Sequence, residues 1–247
     1  MKKVILTLLL GALGLYAEQI YATFDAEAEK AAELSLTTSG TIAGITIDVG
    51  SRVKKGELLL WLENADLKAA LELAKARLEQ ARVTAKYAER NYKRFEKVQK
   101  VIDEGQFDQY ASAYEQARSG VREAEANLRY QQALLEKTLL KAPFDGVISD
   151  KPVEVGDVVS GAMIKVLLRL QSAEEVTLKL AVDQKYWKAL KPGLAFTYRV
   201  DGDATQRSGT ISRVYPTANS ANRKIIVEVP AKGIVPGLFG EGEIEAE

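Results

Sequence analysis

The chain has 247 residues, in which 34 Lys and Arg balance 34 Asp and Glu, and it contains neither His nor Cys. A zinc site of the Cys/His type and nucleophilic catalysis by Ser-His or Cys-His groups are therefore excluded. Any catalysis would rest on carboxylates, Lys or Tyr. Zero formal net charge gives no reason to expect a nucleic-acid partner. We expect no cofactor and no bound metal.

The first 17 residues have the layout of a secretory signal peptide. Lys2 and Lys3 precede an apolar stretch from Val4 to Tyr16, and Ala17 stands just before the chain turns polar. The stretch is shorter than the roughly 20 residues that a membrane-spanning helix needs. We therefore predict that residues 1–17 are a signal peptide and that the protein is exported, with retention of the segment as an uncleaved anchor as the alternative.

The middle of the chain is predicted to be helical, because it has almost no helix breakers. All six prolines lie after residue 142, and the only glycines between Glu57 and Asp145 are Gly105 and Gly120. Apolar residues there alternate at spacings of four and three, the heptad pattern of packed helices. They form two runs: Leu67, Leu71, Ala74, Leu78, Ala81, Ala85, Ala88, Tyr92 and Phe95, then Phe107, Tyr110, Tyr114, Ala117, Val121, Ala124, Leu128 and Leu135.

The two heptad runs are of similar length, and the turn-forming cluster Asp103-Glu104-Gly105-Gln106 separates them. Two helices joined by such a turn lie antiparallel. We therefore predict a helical hairpin over residues 64–138, with arms about 50 Å long.

Two segments that flank the hairpin resemble each other. In each, a second glycine follows the first by ten residues, in the pairs Gly40 and Gly50, and Gly146 and Gly156. An acidic residue and Val precede the second glycine in both segments, and another Val lies three residues beyond it. This internal repeat predicts short strands and glycine turns on both sides of the hairpin.

The two repeated halves resemble the strand-turn motifs of a lipoyl/biotinyl-carrier fold. In a carrier, a tight turn with a modified Lys joins the halves, whereas here the whole hairpin stands at the junction, without a Glu-Ala-Met-Lys-Met or Asp-Lys-Ala motif. Gly161-Ala-Met-Ile-Lys165 is only superficially similar to a biotinylation site, because Ile164 separates Met163 from Lys165. The sequence therefore predicts the carrier fold without the carrier's chemistry.

A split lipoyl domain with an inserted coiled-coil hairpin resembles the periplasmic adaptor subunits of tripartite efflux pumps, which are membrane fusion proteins of the HlyD/RND type. The matching motifs are Ala32-Glu-Leu-Ser-Leu36 before Ser39-Gly40, the run from Val49 to Gly56, and Lys141-Ala-Pro-Phe-Asp-Gly-Val-Ile148. Beyond them, alternating strands and a short helix from Asp183 to near Leu190 suggest a small barrel. In the family this barrel lies next to the inner-membrane transporter.

The resemblance implies an α+β fold, an elongated adaptor with an antiparallel hairpin inserted in a split lipoyl/biotinyl-like β domain and followed by a small β-barrel domain. The predicted divisions are the signal peptide (1–17), an N-terminal segment with the first lipoyl half (18–63), the hairpin (64–138), the second lipoyl half (139–171) and the barrel (172–247). Hinges are expected at the strand-helix junctions near Asn64 and Thr138, and at Gln171-Ser172.

The resemblance also implies a function without catalysis. The protein is expected in the periplasm, associated with the inner membrane, where a ring of several copies links an RND transporter to a TolC-like outer-membrane channel. An ABC-type export or type I secretion partner is the alternative. Two rival hypotheses are a carboxylate-dependent enzyme using Asp145, Asp150 and Glu154, and a coiled-coil scaffold without a role in transport.

The resemblance places channel contacts at the hairpin tip. The family pattern is Arg, then Leu four residues later, then Ser seven beyond that, and Arg94, Val98 and Gly105 stand at those spacings. A second alignment puts Asp103 at the Ser position. The expected contact residues are therefore Arg94, Val98, Asp103, Gly105 and Gln106, with an ordinary solvent-facing charge as the alternative for Arg94.

Overall fold

Residues 18–101 and 103–246 are described by the structure, a computed structural model. The predicted signal peptide lies outside the described residues. None of the described helices is long and apolar enough to cross a membrane. The described residues divide into two compact units, one formed by Ala32–Leu170 and the other by residues 18–31 together with residues 171–246.

The helices of the hairpin are α1 (Ala65–Glu96) and α2 (Glu104–Glu136), with a 3₁₀ turn at Gln99–Val101 between them. The strands are β1 (Glu18–Ala28), β2 (Ala31–Leu34), β3 (Gly40–Ile45), β4 (Arg52–Val53), β5 (Leu58–Leu62), β6 (Leu139–Lys141), β7 (Gly146–Asp150), β8 (Val158–Val159), β9 (Leu168–Gln171), β10 (Glu175–Asp183), β11 (Ala195–Val200), β12 (Arg207–Thr210), β13 (Arg213–Asn219), β14 (Lys224–Lys232) and β15 (Phe239–Ala246). The predicted combination of a hairpin with β domains is confirmed.

Two four-stranded sheets form the domain that carries the hairpin, in the orders β2-β9-β7-β4 and β6-β5-β3-β8. Each sheet takes strands from before and after the hairpin. Gly40 of β3 pairs with Val159 of β8, and Arg52 of β4 pairs with Val147 of β7. The two repeated segments therefore complete each other's sheets around a shared core of Leu34, Leu36, Ile42, Val53, Leu59, Leu60, Leu62, Leu140, Ala142, Ile148, Val153, Val159, Leu167, Leu168 and Leu170.

The second unit, which we call the C-terminal β domain, is a curled antiparallel sheet in the order β12-β11-β15-β1-β10-β14-β13. Strand β12 contacts β14 as well as its neighbour β11, so the sheet bends back toward itself. Its inner face is lined by alternating apolar residues such as Leu178 and Leu180 of β10, and Val227 and Val229 of β14.

Strand β1 lies near the middle of this sheet, paired with both β15 and β10. The sequence-based division kept residues 18–63 together as an N-terminal segment and the first lipoyl half and began the barrel at residue 172, whereas β1 pairs with strands that follow residue 172. The physical reason is that buried and exposed side chains alternate along β1. The buried ones are Ile20, Ala22, Phe24 and Ala26, and the residues between them are exposed. One face of β1 therefore completes the core of the C-terminal β domain.

A buried hydrogen bond lies at the base of the hairpin. The Asn64 side-chain amide donates to the Thr138 hydroxyl at 3.0 Å, and that hydroxyl donates to the Leu135 carbonyl at 2.7 Å. Asn64 and Thr138 are only 3% and 2% exposed. The Leu62 N–H also donates to the Thr138 carbonyl. Bending at these two junctions would strain the bonds that join the two ends of the hairpin, and the expected hinge there stays a prediction.

We predict that Asn64→Ala lowers the free energy of unfolding by about 1–3 kcal/mol, because the buried Thr138 hydroxyl loses its donor. Chemical denaturation with a circular-dichroism readout measures the change. Asn91→Ala, at an exposed position of α1, serves as the control and should change stability by less than about 0.5 kcal/mol. Equal effects of the two substitutions would contradict a structural role for the bond.

We predict opposite effects from two Gly→Ala substitutions. At Gly44, an added methyl group would collide with the Trp61 ring and cost about 1–3 kcal/mol. At Gly120, inside α2, the same group meets open space and should stabilise the helix by up to about 1 kcal/mol. Thermal unfolding of both variants measures this, and a stabilised Gly44→Ala would show that the ring does not pack over β3.

Candidate partner-binding site at the hairpin tip

The hairpin buries little of its own surface. Helices α1 and α2 have 32 and 33 residues, and the only side chains of the pair that are fully buried, among those described, are Ala74 and Leu78 of α1. Two packed helices share one seam, so the other faces stay open to solvent or to a partner. Most of the hairpin surface is therefore available for contacts with other molecules.

Stacked aromatic rings join α1 to α2 near the tip. The rings of Phe95 and Tyr110 are parallel, with centroids 3.9 Å apart, and those of Tyr92 and Tyr114 stack at 5.4 Å. Phe107 adds a tilted contact to Tyr92 at 5.7 Å. Each such pair stabilises by about 0.5–1.5 kcal/mol beyond its area burial. The two predicted heptad runs therefore face each other here, and the rings hold the distal ends of the helices together.

Charges near these rings are mostly paired within α1. The carboxylate of Glu96 raises the pKa of the Tyr92 phenol and accepts a hydrogen bond from it at 3.3 Å. Lys93 lies 2.6 Å from Glu89, and this hydrogen bond raises the pKa of the lysine. Arg94, by contrast, forms no ion pair with any residue that the structure describes. Its guanidinium is thus exposed without an internal partner.

The turn between the helices differs from the predicted one. Asp103 caps α2, with extended backbone angles and a side-chain oxygen that accepts the Gln106 N–H at 3.2 Å. Gly105 and Gln106 therefore lie in the first turn of α2, and the connection runs from Lys97 to Asp103. Gly105 is thus near the start of α2 and not in its interior, where the conformational entropy of glycine is most destabilising. The pattern of Asp103 followed by Gln106 three residues later is an N-cap signature that sequence could have supplied.

All five predicted contact residues are exposed at the distal end of the hairpin. Asp103, Gly105 and Gln106 share one helical turn, whereas Arg94 lies in the last turn of α1 and Val98 follows the end of that helix. No hydrogen bond or ion pair between described residues joins Arg94 to the other four. The five share the tip, and their role as channel contacts stays a prediction.

Sequence reasoning missed one feature of the tip. Val101, in the 3₁₀ turn, is 82% exposed, and nearby Val98 is 41% exposed. Because Val101 is exposed at the tip together with the five predicted contact residues, we add it to the candidate contact surface. The position of Val101 just before the predicted turn at residues 103–106, and outside both heptad runs, was the available clue.

The carboxylates of the enzyme hypothesis each have a separate local partner. Asp145 accepts the Lys55 backbone N–H at 2.6 Å, and Asp150 pairs with Arg169 at 3.1 Å. Glu154 pairs with Lys151 at 2.6 Å. These carboxylates therefore shape turns and strand contacts.

A cleft of about 940 Å³ lies in the C-terminal β domain and is lined largely by charged residues. Its charges include the pairs Glu27–Lys179 at 2.6 Å and Glu228–Arg213 at 2.9 Å. In the described part of the chain, no group of three or more His, Cys, Asp or Glu side chains is placed to hold a metal ion. The cleft is thus a polar groove with internal charge pairs.

A family profile described as a CzcB-like, barrel-sandwich hybrid domain matches residues 30–167. The chain is 26% identical over 224 residues to the cobalt-zinc-cadmium resistance protein CzcB of Cupriavidus metallidurans, a match covering 85% of this chain and 42% of CzcB. It is 25% identical over 231 residues to the macrolide export protein MacA of Yersinia pestis, covering 84% of this chain and 61% of MacA. The chain thus spans about half the length of these curated relatives.

The crystal structure of MacA from Actinobacillus actinomycetemcomitans has the same fold. It superposes with a TM-score of 0.70 and 19% identity, covering 94% of this chain and 79% of that one. The matched residues 30–167 include the whole hairpin and the interleaved strands from β3 to β8. The chain therefore belongs to the family of CzcB-like proteins with a barrel-sandwich hybrid domain, and so to the membrane fusion adaptors that its sequence resembles.

Proposed function

We propose that this protein is a periplasmic adaptor of an efflux system, joining an inner-membrane transporter to a TolC-like outer-membrane channel. The observation that carries the proposal is a hairpin of two helices, each about 50 Å long, that ends in an exposed tip. The names of its relatives, a metal resistance protein and a macrolide export protein, support a role in export. The transporter is of the RND type in the primary proposal and of the ABC type in the alternative.

The adaptor works through its interfaces. The aromatic stacks between Tyr92, Phe95, Tyr110 and Tyr114 fix the two helix ends relative to each other, so the tip meets its partner as one preorganised surface. The unpaired Arg94 supplies a cation for an acidic group on the channel, and Val98 and Val101 supply the apolar contact. Several copies form a ring, which multiplies a weak contact at each tip.

The first test is photo-crosslinking in intact cells from a benzophenone amino acid placed at Gln106. We expect a covalent product with an outer-membrane channel, because Gln106 is exposed in the first turn of α2. Gln116, an exposed glutamine further along α2, is the matched control and should give no channel product. Mass spectrometry identifies the attached protein.

A channel product from position 106, with none from position 116, supports the adaptor function and a channel contact at the tip of the hairpin. Recovery of only the protein itself from both positions would overturn the proposal in favour of a scaffold without transport. Affinity purification of the tagged protein, with identification of the transporter that copurifies, decides between the RND and the ABC type.

We predict that Val101→Asp weakens channel binding about tenfold or more, because a charge replaces an apolar side chain that is exposed in the turn at the tip. Val83→Asp is the control, since Val83 is 45% exposed on α1 and distant in sequence from the tip. Binding is measured by surface plasmon resonance on immobilised channel. Equal losses for both substitutions would show that the hairpin shaft, and not its tip, makes the contact.

We predict that Phe95→Ala also weakens channel binding, although less than Val101→Asp, because it loosens the helix ends without removing a contact. The substitution removes the ring that stacks on Tyr110, so melting of the hairpin should begin at lower temperature. Hydrogen exchange of residues 90–114, read beside the binding assay, measures both effects. Unchanged exchange would mean that the stack does not stiffen the tip.

A further inference from the structure

Helix α1 carries a second regular row of side chains, on the face opposite the seam with α2. Its members recur at spacings of four and three, like those of the seam, and all of them are exposed. We call this set the α1 outer row: Ala69, Leu73, Ala76, Gln80, Val83, Tyr87, Arg90 and Arg94. Leu73, Val83 and Tyr87 are large apolar side chains that are 53%, 45% and 59% exposed. Such a row, uncovered in its own chain, is suited to a helix of another molecule.

Helix α2 has a matching row on its own outer face. All of its members are exposed, and most are small or polar. We call this set the α2 outer row: Gln109, Ser112, Gln116, Ser119, Glu123, Ala126, Tyr130 and Ala133. Tyr130 is the large apolar member of this row and is 60% exposed. The two outer rows therefore differ, since one has several large side chains and the other has mostly small ones.

A contact across the seam shows which residues of the two helices lie at the same height along the hairpin, because the Tyr92 ring stacks on that of Tyr114. Two copies that stand side by side with level tips share these heights. Large and small members of the two outer rows then face each other in the pairs Leu73 and Ala133, Ala76 and Tyr130, and Tyr87 and Ser119. Val83 lies level with Glu123 instead and finds no apolar partner there, so the match does not depend on it.

Charged side chains run beside each outer row at intervals of seven residues. On α1 these are Glu72, Glu79, Lys86 and Lys93, and on α2 they are Asp108, Glu115, Arg122 and Arg129. Glu136, the next member on α2, already pairs with Lys141. Seven residues make about two helical turns, so each series keeps to one side of its helix. From the base of the hairpin to its tip, the α1 series changes from acidic to basic and the α2 series from basic to acidic.

The two series therefore have opposite signs at matching heights. In the register of the outer rows, Arg129 lies level with the gap between the two acids of α1, and Glu115 with the gap between its two lysines. Asp108 lies just beyond Lys93, toward the tip, and Arg122 lies where the α1 series changes sign. Two α1 helices side by side with level tips would instead bring acid to acid and lysine to lysine. Charge thus favours contact between unlike faces.

Contacts within one chain leave most of these charges able to pair with another molecule. Glu79, Lys86, Asp108 and Arg129 form no ion pair with any residue that the structure describes. The internal pairs of the other members, such as that of Lys93, are exposed. Exposed pairs contribute little to stability, so a neighbouring molecule can replace them at small cost.

We propose that the α1 outer row of one copy packs against the α2 outer row of a second copy of this chain, with the two tips level. The matched charges select these unlike faces. The proposal rests on the proposed function, in which several tips meet one channel, and adds which faces join neighbouring hairpins. Pairing of α1 with an antiparallel α1 would also match the charges, but it would point the tips in opposite directions. Each copy keeps one outer row free for the next copy, as a ring requires.

Disulfide crosslinking tests this contact, because the chain has no cysteine of its own. Two differently tagged copies are co-expressed, one with Tyr87→Cys and the other with Ser119→Cys, and cells are treated with copper phenanthroline. A disulfide needs Cα atoms within about 7 Å, whereas the two outer rows of one chain lie on opposite sides of its hairpin. A disulfide between positions 87 and 119 therefore joins two copies. We expect it as the main product on non-reducing gels.

Ala126 provides the matched control, because it lies in the same outer row as Ser119, one heptad or about 10.5 Å away. Y87C paired with A126C should give several-fold less product than Y87C paired with S119C. A dominant product between positions 87 and 126 would overturn the level arrangement. A dominant product of Y87C with itself would show pairing of like faces and would also contradict the proposal, as would the lack of any product.

A charge swap tests the selection of faces. K86E/K93E in the Y87C copy should lower the yield several-fold, because both lysines flank Glu115 of the other copy. Adding E115K to the S119C copy should return the yield to within about twofold of the parent pair. K54E/K55E makes the same change of charge at exposed lysines outside the hairpin and should leave the yield unchanged. A loss that E115K does not reverse would contradict the role of these charges.

The contact between copies and the adaptor function can fail separately. A product between positions 87 and 119, without a channel product from Gln106, would support the contact and count against the adaptor function. A channel product from Gln106, without a product between positions 87 and 119, would leave the adaptor function standing and overturn the proposed contact.

Discussion

The pairing of strands across the hairpin is the constraint on which the rest of the structure depends. Strand β3 needs β8, and β4 needs β7, although the whole of α1 and α2 lies between them in the chain. Neither sheet can form until the hairpin returns the chain to its starting point. The buried hydrogen bond between Asn64 and Thr138 joins the start of α1 to the end of α2, where the hairpin meets the domain. A long helical projection is thus held at its base by two sheets and a shared apolar core.

The same constraint explains how function is distributed. The base of the hairpin is buried and hydrogen-bonded, while its shaft buries only Ala74 and Leu78 among described side chains. Most of the stability therefore comes from the β domains. Near the tip, the stacked aromatic rings hold the two helices together locally. A tip that is rigid, exposed and distant from the core can contact a partner without cost to the fold.

Much of this architecture could be predicted from the sequence, because the regular spacing of apolar residues and of glycines indicates helices and strands. The heptad spacing indicated the hairpin, and the repeated glycines of Gly40–Gly50 and Gly146–Gly156 indicated the interleaved strands. Strand β1 was missed because its partners, β10 and β15, are far away in sequence and no glycine turn stands beside its alternating residues. The turn at Gly105 was misplaced because glycine was taken as a breaker, while the cap at Asp103 decides where α2 begins. Exposure of Val101 depends on packing, which periodicity does not supply.

In the proposed function, the hairpin tip binds an outer-membrane channel, and the transporter contact lies elsewhere on the chain. Deleting residues 101–108 tests this most directly, because it removes the tip while leaving both sheets and the Asn64–Thr138 bond in place. Affinity purification of the tagged variant from cells, followed by quantitative mass spectrometry, measures both partners at once. We expect loss of the outer-membrane channel, with the inner-membrane transporter retained. Retention of the channel at the parent level would contradict it.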